Sequence, residues 1–263
     1  KALGIELVEL PRWNCCGTVY SLATDDLMKQ IAPIRVLIRA REAGFGELVT
    51  LCSMCYNTLA RANLLVRRDP DKLETINSFM DEEPDYEGDV EVLHLLQVLR
   101  DRVGWEEVRR RVRKPLKIRV SPYYGCLLIR PKEVAIDDPR DPRVMEDLLE
   151  ALGAEVVDNP ERGYCCGSYH TVGNVDIVLG SVRRIVSAAG ERGAELIVTS
   201  CPLCFFNLDY RQEEAARSSR GMREIPVLYF TQLMAIAMGL EGEWGLSSHK
   251  IDPRPLLRER GLI

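Results

Sequence analysis

The stretch Leu196-Ile197-Val198-Thr199-Ser200-Cys201-Pro202-Leu203-Cys204 carries a short apolar run into a Cys-x-x-Cys pair. The stretch Leu48-Val49-Thr50-Leu51-Cys52-Ser53-Met54-Cys55 has the same order about 149 residues earlier. In both stretches the apolar run predicts a short buried strand, and the residues that follow the second cysteine predict a helix. We therefore expect both Cys-x-x-Cys pairs at junctions where a strand ends and a helix begins.

An adjacent cysteine pair followed by glycine precedes each Cys-x-x-Cys pair. Cys16 of Cys15-Cys16-Gly17 is separated from Cys52 by 35 residues, and Cys166 of Cys165-Cys166-Gly167 is separated from Cys201 by 34 residues. Cys126, the last of the nine cysteines, lies upstream of Cys165 with 38 residues between them. The chain thus carries a duplicated pattern with four cysteines in the first copy and five in the second.

The first copy lacks a counterpart of Cys126, and the offset between the copies accounts for this. A shift of about 149 residues places that counterpart some two dozen positions before Lys1. The first eight residues, KALGIELV, match Glu150–Val157, which in the second copy follow a helix expected to start near Pro142. Since there is also no initiator Met, we interpret the sequence as N-terminally incomplete and expect a tenth cysteine in the intact protein.

Strand and helix predictions alternate in both copies. The predicted strands are Ile5–Leu10, Leu48–Leu51, a segment from Val92, Ile118–Ser121, Glu155–Asp158, Leu196–Thr199 and a segment from Val227. The predicted helices are one that ends at Gly44 and is bent or interrupted at Pro33, then Tyr56–Arg67, Val175–Arg192 and one from Phe205. This alternation predicts an α/β fold with two duplicated domains, each a small, mostly parallel sheet flanked by helices. The expected domains are 1–115 and 116–263.

Composition and charge exclude several classes of protein. The 263 residues carry a net charge of −5, and no Lys/Arg block alternates with aromatic residues, so we expect no nucleic-acid partner. No apolar run approaches the roughly 20 residues that a membrane span needs. Adjacent and Cys-x-x-Cys cysteines in odd number are typical of metal binding in a reducing cytoplasm rather than of a disulfide framework.

Three kinds of cysteine chemistry remain open from the residues themselves. A structural zinc site suits two spaced pairs, but adjacent thiolates are poorly placed for two vertices of one tetrahedron. A dithiol redox pair explains one Cys-x-x-Cys and leaves the adjacent pairs unexplained. A polynuclear iron-sulfur cluster suits an adjacent pair, whose side chains leave opposite sides of the backbone. Five cysteines exceed the four of an ordinary cubane, so either one is spare or the cluster is different. We expect Gly17 and Gly167 to let the backbone pass close to such a cluster.

The double pattern C-x(31–39)-CC-x(34–36)-C-x-x-C resembles the CCG cysteine-rich domain of the heterodisulfide reductase B subunit. Gly163–His170, Val198–Cys204 and Asp252–Leu257 are also similar to that family. The resemblance implies two noncubane four-iron four-sulfur clusters. By the same resemblance the second copy supplies five ligands, Cys126, Cys165, Cys166, Cys201 and Cys204. The first copy supplies Cys15, Cys16, Cys52 and Cys55 together with the expected tenth cysteine.

The resemblance further implies the catalytic subunit of a heterodisulfide-reductase-type complex, a disulfide oxidoreductase. Its substrate disulfide lies between the two clusters and is cleaved to two thiols, and in methanogenesis it is the heterodisulfide of coenzyme M and coenzyme B. The implied partners are a ferredoxin-like iron-sulfur C subunit and a flavin-containing A subunit. A homologue acting on another disulfide or thiol, or an electron-relay subunit that cleaves no disulfide, remains open. CCG domains also occur in glycolate and lactate oxidase subunits and in quinone-linked respiratory proteins.

His170, four residues after Cys166, is the candidate proton donor to a departing thiolate, because histidine titrates near neutral pH. The plainer interpretation is a histidine hydrogen-bonded beside the cluster. We expect capping or surface roles for His94 and His249. Tyr123 or Tyr124 is a candidate hydrogen-bond donor close to the cysteines.

Overall fold

The computed structural model describes residues 1–18, 27–217, 221–240, 242 and 244–263. Its internal contacts divide the chain into two compact units, Leu3–Val98 and Leu99–Ile263. The repeat itself places the boundary later, at 115/116, and that placement remains a prediction about the duplication. Within the described ranges, none of the helices has both the length and the apolar character required to cross a bilayer.

The first unit contains a two-stranded parallel sheet flanked by helices. Its helices and strands are α1 (Ile31–Glu42), β1 (Glu47–Thr50), α2 (Ser53–Arg68), α3 (Pro70–Phe79), β2 (Glu91–His94) and α4 (Leu95–Val98). A 3₁₀ turn, Leu27–Gln30, precedes α1. Glu47 pairs with Glu91 and Thr50 with His94, so β1 and β2 run in register. Pro33 lies in the first turn of α1, where a missing N–H costs no helical hydrogen bond. The interruption of the helix that was predicted at Pro33 is therefore absent from α1.

The second unit contains a four-stranded parallel sheet in the order β4-β3-β5-β6. Its strands are β3 (Arg119–Tyr123), β4 (Glu155–Val156), β5 (Leu196–Thr199) and β6 (Val227–Tyr229). Its helices are α5 (Trp105–Arg111), α6 (Val144–Ala151), α7 (Val175–Glu191), α8 (Pro202–Tyr210), α9 (Gln212–Arg217), α10 (Phe230–Ala237) and α11 (Arg254–Glu259). The two parallel sheets with flanking helices confirm the predicted α/β fold class.

The core of the second unit lies on both sides of β5. All four residues of β5 are buried, as expected for a strand covered by helices on both faces. Helix α7 buries an apolar stripe made of Val178, Val182, Ile185, Val186 and Ala189. That 3.6-residue spacing is why the segment forms an amphipathic helix, and Gly193, with φ of +78°, ends it in the left-handed region.

The prediction of a strand over residues 5–10 is wrong, because the structure leaves this segment irregular. The corresponding segment of the second unit, β4, is a strand because it pairs with β3. Strands form only when a neighbour satisfies their backbone hydrogen bonds. In the described part of the first unit, β1 pairs with β2 and the segment 5–10 is in neither strand.

Candidate iron-sulfur sites

The five cysteines of the second unit lie where strands end. Cys126 follows β3, the pair Cys165–Cys166 lies in the loop after β4, and Cys201 caps the start of α8 directly after β5. Parallel strands present their carboxyl ends at one edge of the sheet, which is where ligands bind in this class of fold. The sequence therefore brings residues as distant as 126 and 204 to one place because their strands are neighbours.

The sulfurs of this unit form one connected group. The Sγ atoms of Cys166 and Cys204 are 3.5 Å apart. Side-chain interactions that shift the thiol pKa values also link Cys126 to Cys165, Cys165 to Cys166, and Cys201 to Cys204. Cys166, Cys201 and Cys204 are buried, Cys126 is half-buried and Cys165 is exposed. The group thus has an interior end and one end that solvent reaches.

Charge is distributed unevenly along this group. The hydrogen bond with Cys126, followed by that with Cys166, lowers the pKa of Cys165, and the backbone N–H of Gly167 donates to its Sγ at 3.3 Å. The bond with Cys165 raises the pKa of Cys126, and the bond with Cys166 raises the pKa of the buried Cys204. The thiolate character therefore lies at Cys165, and the deeper thiols hold protons that metal binding would displace.

The donor set fits an iron-sulfur cluster in type and convergence. As they stand, the described residues contain no group of three or more His, Cys, Asp or Glu side chains arranged to hold a metal ion. The thiols instead approach one another pairwise as hydrogen-bond partners, and metal–sulfur bonds would replace these contacts. Neighbouring thiols in pairwise contact, with a backbone N–H directed at a sulfur, match the kind of ligands and outer hydrogen bonds found in iron-sulfur proteins.

Gly125 lies close to the sulfur of Cys204. Its φ is +65°, and a Cβ there would lie 3.0 Å from the Sγ of Cys204. A Cβ at Gly167 would instead meet the Cα of Val178 in α7 at 3.3 Å. The close approach at Gly167 is therefore to α7, its N–H contributes a contact to the Cys165 sulfur, and the approach of its backbone to a cluster stays a prediction. The sequence analysis did not identify Gly125, although its position directly before Cys126 is a usable signal.

Tyr123 holds the Cys126 and Cys165 loops together. It is fully buried, and its hydroxyl donates to the carbonyl oxygen of Tyr164 at 2.7 Å. Burial and the neighbouring cysteines raise the pKa of Tyr123, so its hydroxyl stays protonated and remains a donor. In the same place the backbone N–H groups of Tyr124 and Gly125 donate to the carbonyl oxygen of Arg162 at 2.9 and 3.1 Å. These bonds fix the Cys126 loop beside the Cys165 loop.

The first unit assembles a smaller cysteine group in the same way. The Sγ atoms of Cys16 and Cys55 are 3.1 Å apart, and the N–H of Cys55 donates to the Sγ of Cys52 at 3.5 Å. The hydrogen bond with Cys55 lowers the pKa of Cys16 to about 7, and the same bond raises the pKa of Cys55. Cys15 is exposed in the loop next to this group.

The three histidines occupy different positions relative to the cysteines. His170 is half-buried in the 3₁₀ turn Ser168–His170 that follows Gly167, and its backbone N–H donates to the carbonyl of Gly167 at 2.8 Å. His94 is buried at the end of β2, where its Nδ1 accepts from the N–H of Leu96 at the start of α4. His249 packs edge-on against Phe205, with ring centroids 5.0 Å apart. His170 is therefore the histidine nearest in sequence to a cysteine pair, and its role remains a proposal.

Comparison with known proteins gives the same assignment as the cysteines. The family model of the CCG cysteine-rich domain matches residues 1–60 and 120–209. The 8-methylmenaquinol:fumarate reductase membrane anchor subunit of Wolinella succinogenes is 34% identical over 97% of this chain and 89% of its own length. The B subunit of the ferredoxin/F420H2-dependent CoB-CoM heterodisulfide reductase of Methanosarcina acetivorans is 30% identical over 95% of this chain and 85% of its own length. A protein of Archaeoglobus profundus named as similar to the heterodisulfide reductase B subunit is 32% identical over 92% and 83%.

A solved structure supports the fold alone. The crystal structure of a hypothetical protein from Helicobacter pylori matches with a TM-score of 0.71 at 15% identity and covers 89% of this chain. The chain spans 43% of the length of that protein.

Two matched CCG regions and relatives aligned over nearly the whole chain account for the duplicated cysteine pattern. The chain therefore belongs to the CCG cysteine-rich domain family, in the group that contains the heterodisulfide reductase B subunits.

Proposed function

We propose that this protein is the disulfide-reducing iron-sulfur subunit of a heterodisulfide-reductase-type complex. The observation that carries the proposal is the convergence of five cysteines, from three separate strand ends, into one group in the second unit. Five cysteines exceed what a mononuclear site or an ordinary cubane uses. Relatives at 30% identity that are named as heterodisulfide reductase B subunits support the same assignment.

The proposed cofactors are two noncubane four-iron four-sulfur clusters. In the second unit the holding residues are Cys126, Cys165, Cys166, Cys201 and Cys204, and in the first unit they are Cys15, Cys16, Cys52 and Cys55 with the expected tenth cysteine. When bound, such clusters supply electrons one at a time and a soft metal that accepts a thiolate. The chain contributes thiolates, the hydrogen bonds that orient them and a partly dry environment.

The proposed reaction consumes two electrons and two protons for each disulfide. The S–S bond breaks, both sulfur atoms are reduced, and two thiols leave. The exposed Cys165 edge of the group, with Tyr164 and Tyr169 exposed beside it, offers the substrate access from solvent. In this proposal His170, on the turn that follows Gly167, delivers one of the protons, and solvent supplies the other.

The two electrons come from a reduced iron-sulfur partner of the ferredoxin type, and ultimately from a flavin-containing subunit. In this proposal the chain works as one subunit of such a complex in the cytoplasm. The substrate is the coenzyme M–coenzyme B heterodisulfide, as in methanogenesis, or a related disulfide. The names of the methanosarcinal relatives, which include ferredoxin and the CoB-CoM heterodisulfide, support this choice.

A second candidate function is electron relay without disulfide cleavage. The Wolinella succinogenes relative, at 34% identity, is named as the anchor subunit of a menaquinol:fumarate reductase. A protein of that kind would use the same cysteines to pass electrons between partners. This candidate requires no substrate pocket beside Cys165 and no proton donor.

A single-turnover assay separates the two functions. The purified protein is loaded with iron and sulfide, reduced with dithionite and freed of excess reductant. It is then mixed with the coenzyme M–coenzyme B heterodisulfide, and the released thiols are counted. Disulfide reductase function predicts up to two thiols per chain, with a slower release in His170→Gln at neutral pH. A reduced, fully loaded protein that releases no thiol from this or related disulfides would favour the relay.

A further inference from the structure

Asn207 is a buried amide that contacts one of the cysteines of the second unit. It lies on α8, six residues after Cys201, and is fully buried. Its Nδ2 donates to the carbonyl oxygen of Cys166 at 3.2 Å and to the Sγ of Cys166 at 3.5 Å. The amide nitrogen therefore contacts the same cysteine at both its backbone oxygen and its sulfur.

A neighbouring hydroxyl fixes the orientation of this amide. The Oγ1 of Thr171 donates to the Oδ1 of Asn207 at 2.7 Å. The carbonyl oxygen of Cys166 can only accept, so the NH₂ group faces Cys166 and the amide oxygen accepts from Thr171, which holds the amide in this orientation. Thr171 follows directly after the 3₁₀ turn Ser168–His170, so this bond also ties the loop after the cysteine pair to α8.

An N–H group directed at a cysteine sulfur changes the electronic state of that sulfur. It draws electron density from the thiolate and stabilises negative charge on the group to which the sulfur is bound. Reduction adds one negative charge to an iron-sulfur centre, and hydrogen bonds to its sulfurs are among the factors that set its potential. A donor of this kind makes a centre easier to reduce.

The first unit has a different residue at this position. The Cys-x-x-Cys pairs are offset by 149 residues, since 201 − 52 = 149, and 207 − 149 gives Thr58. The buried Thr58 hydroxyl donates to the Oγ1 of Thr18 at 3.5 Å. The Sγ of Cys16, which corresponds to Cys166, lies 3.1 Å from Cys55 and receives a backbone hydrogen bond from Thr18. The duplication therefore preserves the cysteines and changes the donor beside them.

We infer that Asn207 raises the reduction potential of the centre held by the second unit, so that the two centres of this chain are electronically unequal. This inference rests on the part of the proposed function that places an iron-sulfur centre in each cysteine group, and does not depend on which disulfide is the substrate. Because the centre in the second unit has the higher reduction potential, it accepts the first electron and the centre in the first unit accepts the next. Asn207 is a tuning and positioning residue, because it acts through Cys166.

The test is a potentiometric titration of the anaerobically purified protein followed by electron paramagnetic resonance. Asn207→Leu removes both N–H donors, and we expect one of the two midpoint potentials to become more negative while the other stays unchanged. Thr58→Asn is the reciprocal variant, and we expect it to raise the potential of the other centre. Iron and sulfide content, measured on the same samples, reports whether each variant keeps its centres.

A second variant keeps the test decisive if Asn207→Leu loses iron. Thr171→Val removes the hydroxyl that orients the amide and leaves Asn207 in place, and we expect a smaller shift in the same direction. If Asn207→Leu keeps its full iron content and both midpoint potentials stay unchanged, the inference is overturned. If Asn207→Leu loses iron, an unchanged midpoint potential in Thr171→Val overturns it. Neither result would affect the proposed function. A wild-type protein that holds no iron would overturn the proposed function and the inference together.

Discussion

At the scale of single residues, the cysteine group depends on a glycine as much as on the cysteines. Gly125 combines a φ of +65° with a position where a Cβ would lie 3.0 Å from the Sγ of Cys204. This contact is tighter than most real Cβ contacts, so an added methyl group requires Cys204 or the Cys126 loop to shift by a few tenths of an ångström. The residue before Cys126 is thus constrained by the site as well as by its backbone conformation.

We predict that Gly125→Ala reduces the iron content of the second unit and lowers the free energy of unfolding. The left-handed conformation alone costs an L-residue about 1–2 kcal/mol, and the contact with Cys204 adds to it. Gly261→Ala is the matched control, because its φ is also +65° but a Cβ there meets nothing within 4 Å. Chemical denaturation and iron analysis of both variants make the comparison. Equal destabilisation with full iron content in both would show that the contact with Cys204 does not matter.

At the scale of secondary structure elements, the two sheets differ on one side of the corresponding strands β1 and β5. In the second unit β5 lies between β3 and β6, and all its residues are buried. In the first unit β1 pairs with β2, and a cleft of about 760 Å³ runs between residues 6–10 and residues 44–51. Val8 is 59% exposed on this cleft, whereas its repeat counterpart Val157 is 4% exposed. By the repeat, residues 6–10 correspond to β4 and the loop after it, and β1 corresponds to β5; in the second unit β3 lies between those two strands.

We predict that, in a protein made of residues 1–263, the backbone amides of β1 that face this cleft exchange with deuterium faster than the corresponding amides of β5. Amides on an unpaired strand edge are reached by water, whereas those bonded to a neighbouring strand are protected. Hydrogen exchange followed by NMR measures each amide separately. The amides of β1 that face β2 and those of β5 that face β6 serve as the internal reference. Equal protection on both edges of β1 would contradict the account of the cleft.

At the scale of the whole molecule, the sequence predicts the parts of the structure that repeat. The apolar runs before Cys52 and Cys201 predict β1 and β5, and the spacing of the cysteines predicts which loops carry the ligands. The prediction of a strand over Ile5–Leu10 is wrong, because the spacing of apolar residues shows which face of a segment is apolar but not whether a partner strand is present.

The contacts that adjust the site were not visible in the sequence. Asn207 is one polar residue in the apolar run PLCFFNL, and only the fold shows that its amide reaches Cys166 forty-one residues away. Gly125 differs from the other glycines only through its distance from Cys204. Such contacts depend on which helix packs against which loop, and a one-dimensional pattern does not contain that information.

The central claim is that each cysteine group holds its own iron-sulfur cluster. Iron and acid-labile sulfide content of the protein made from its natural gene and purified without oxygen test it most directly. We predict about eight irons and eight sulfides per chain, and about half of each after Cys166→Ser or Cys16→Ser. A protein with iron in the second unit only, so that Cys16→Ser changes nothing, would contradict the paired-centre account and leave the relay as the better description.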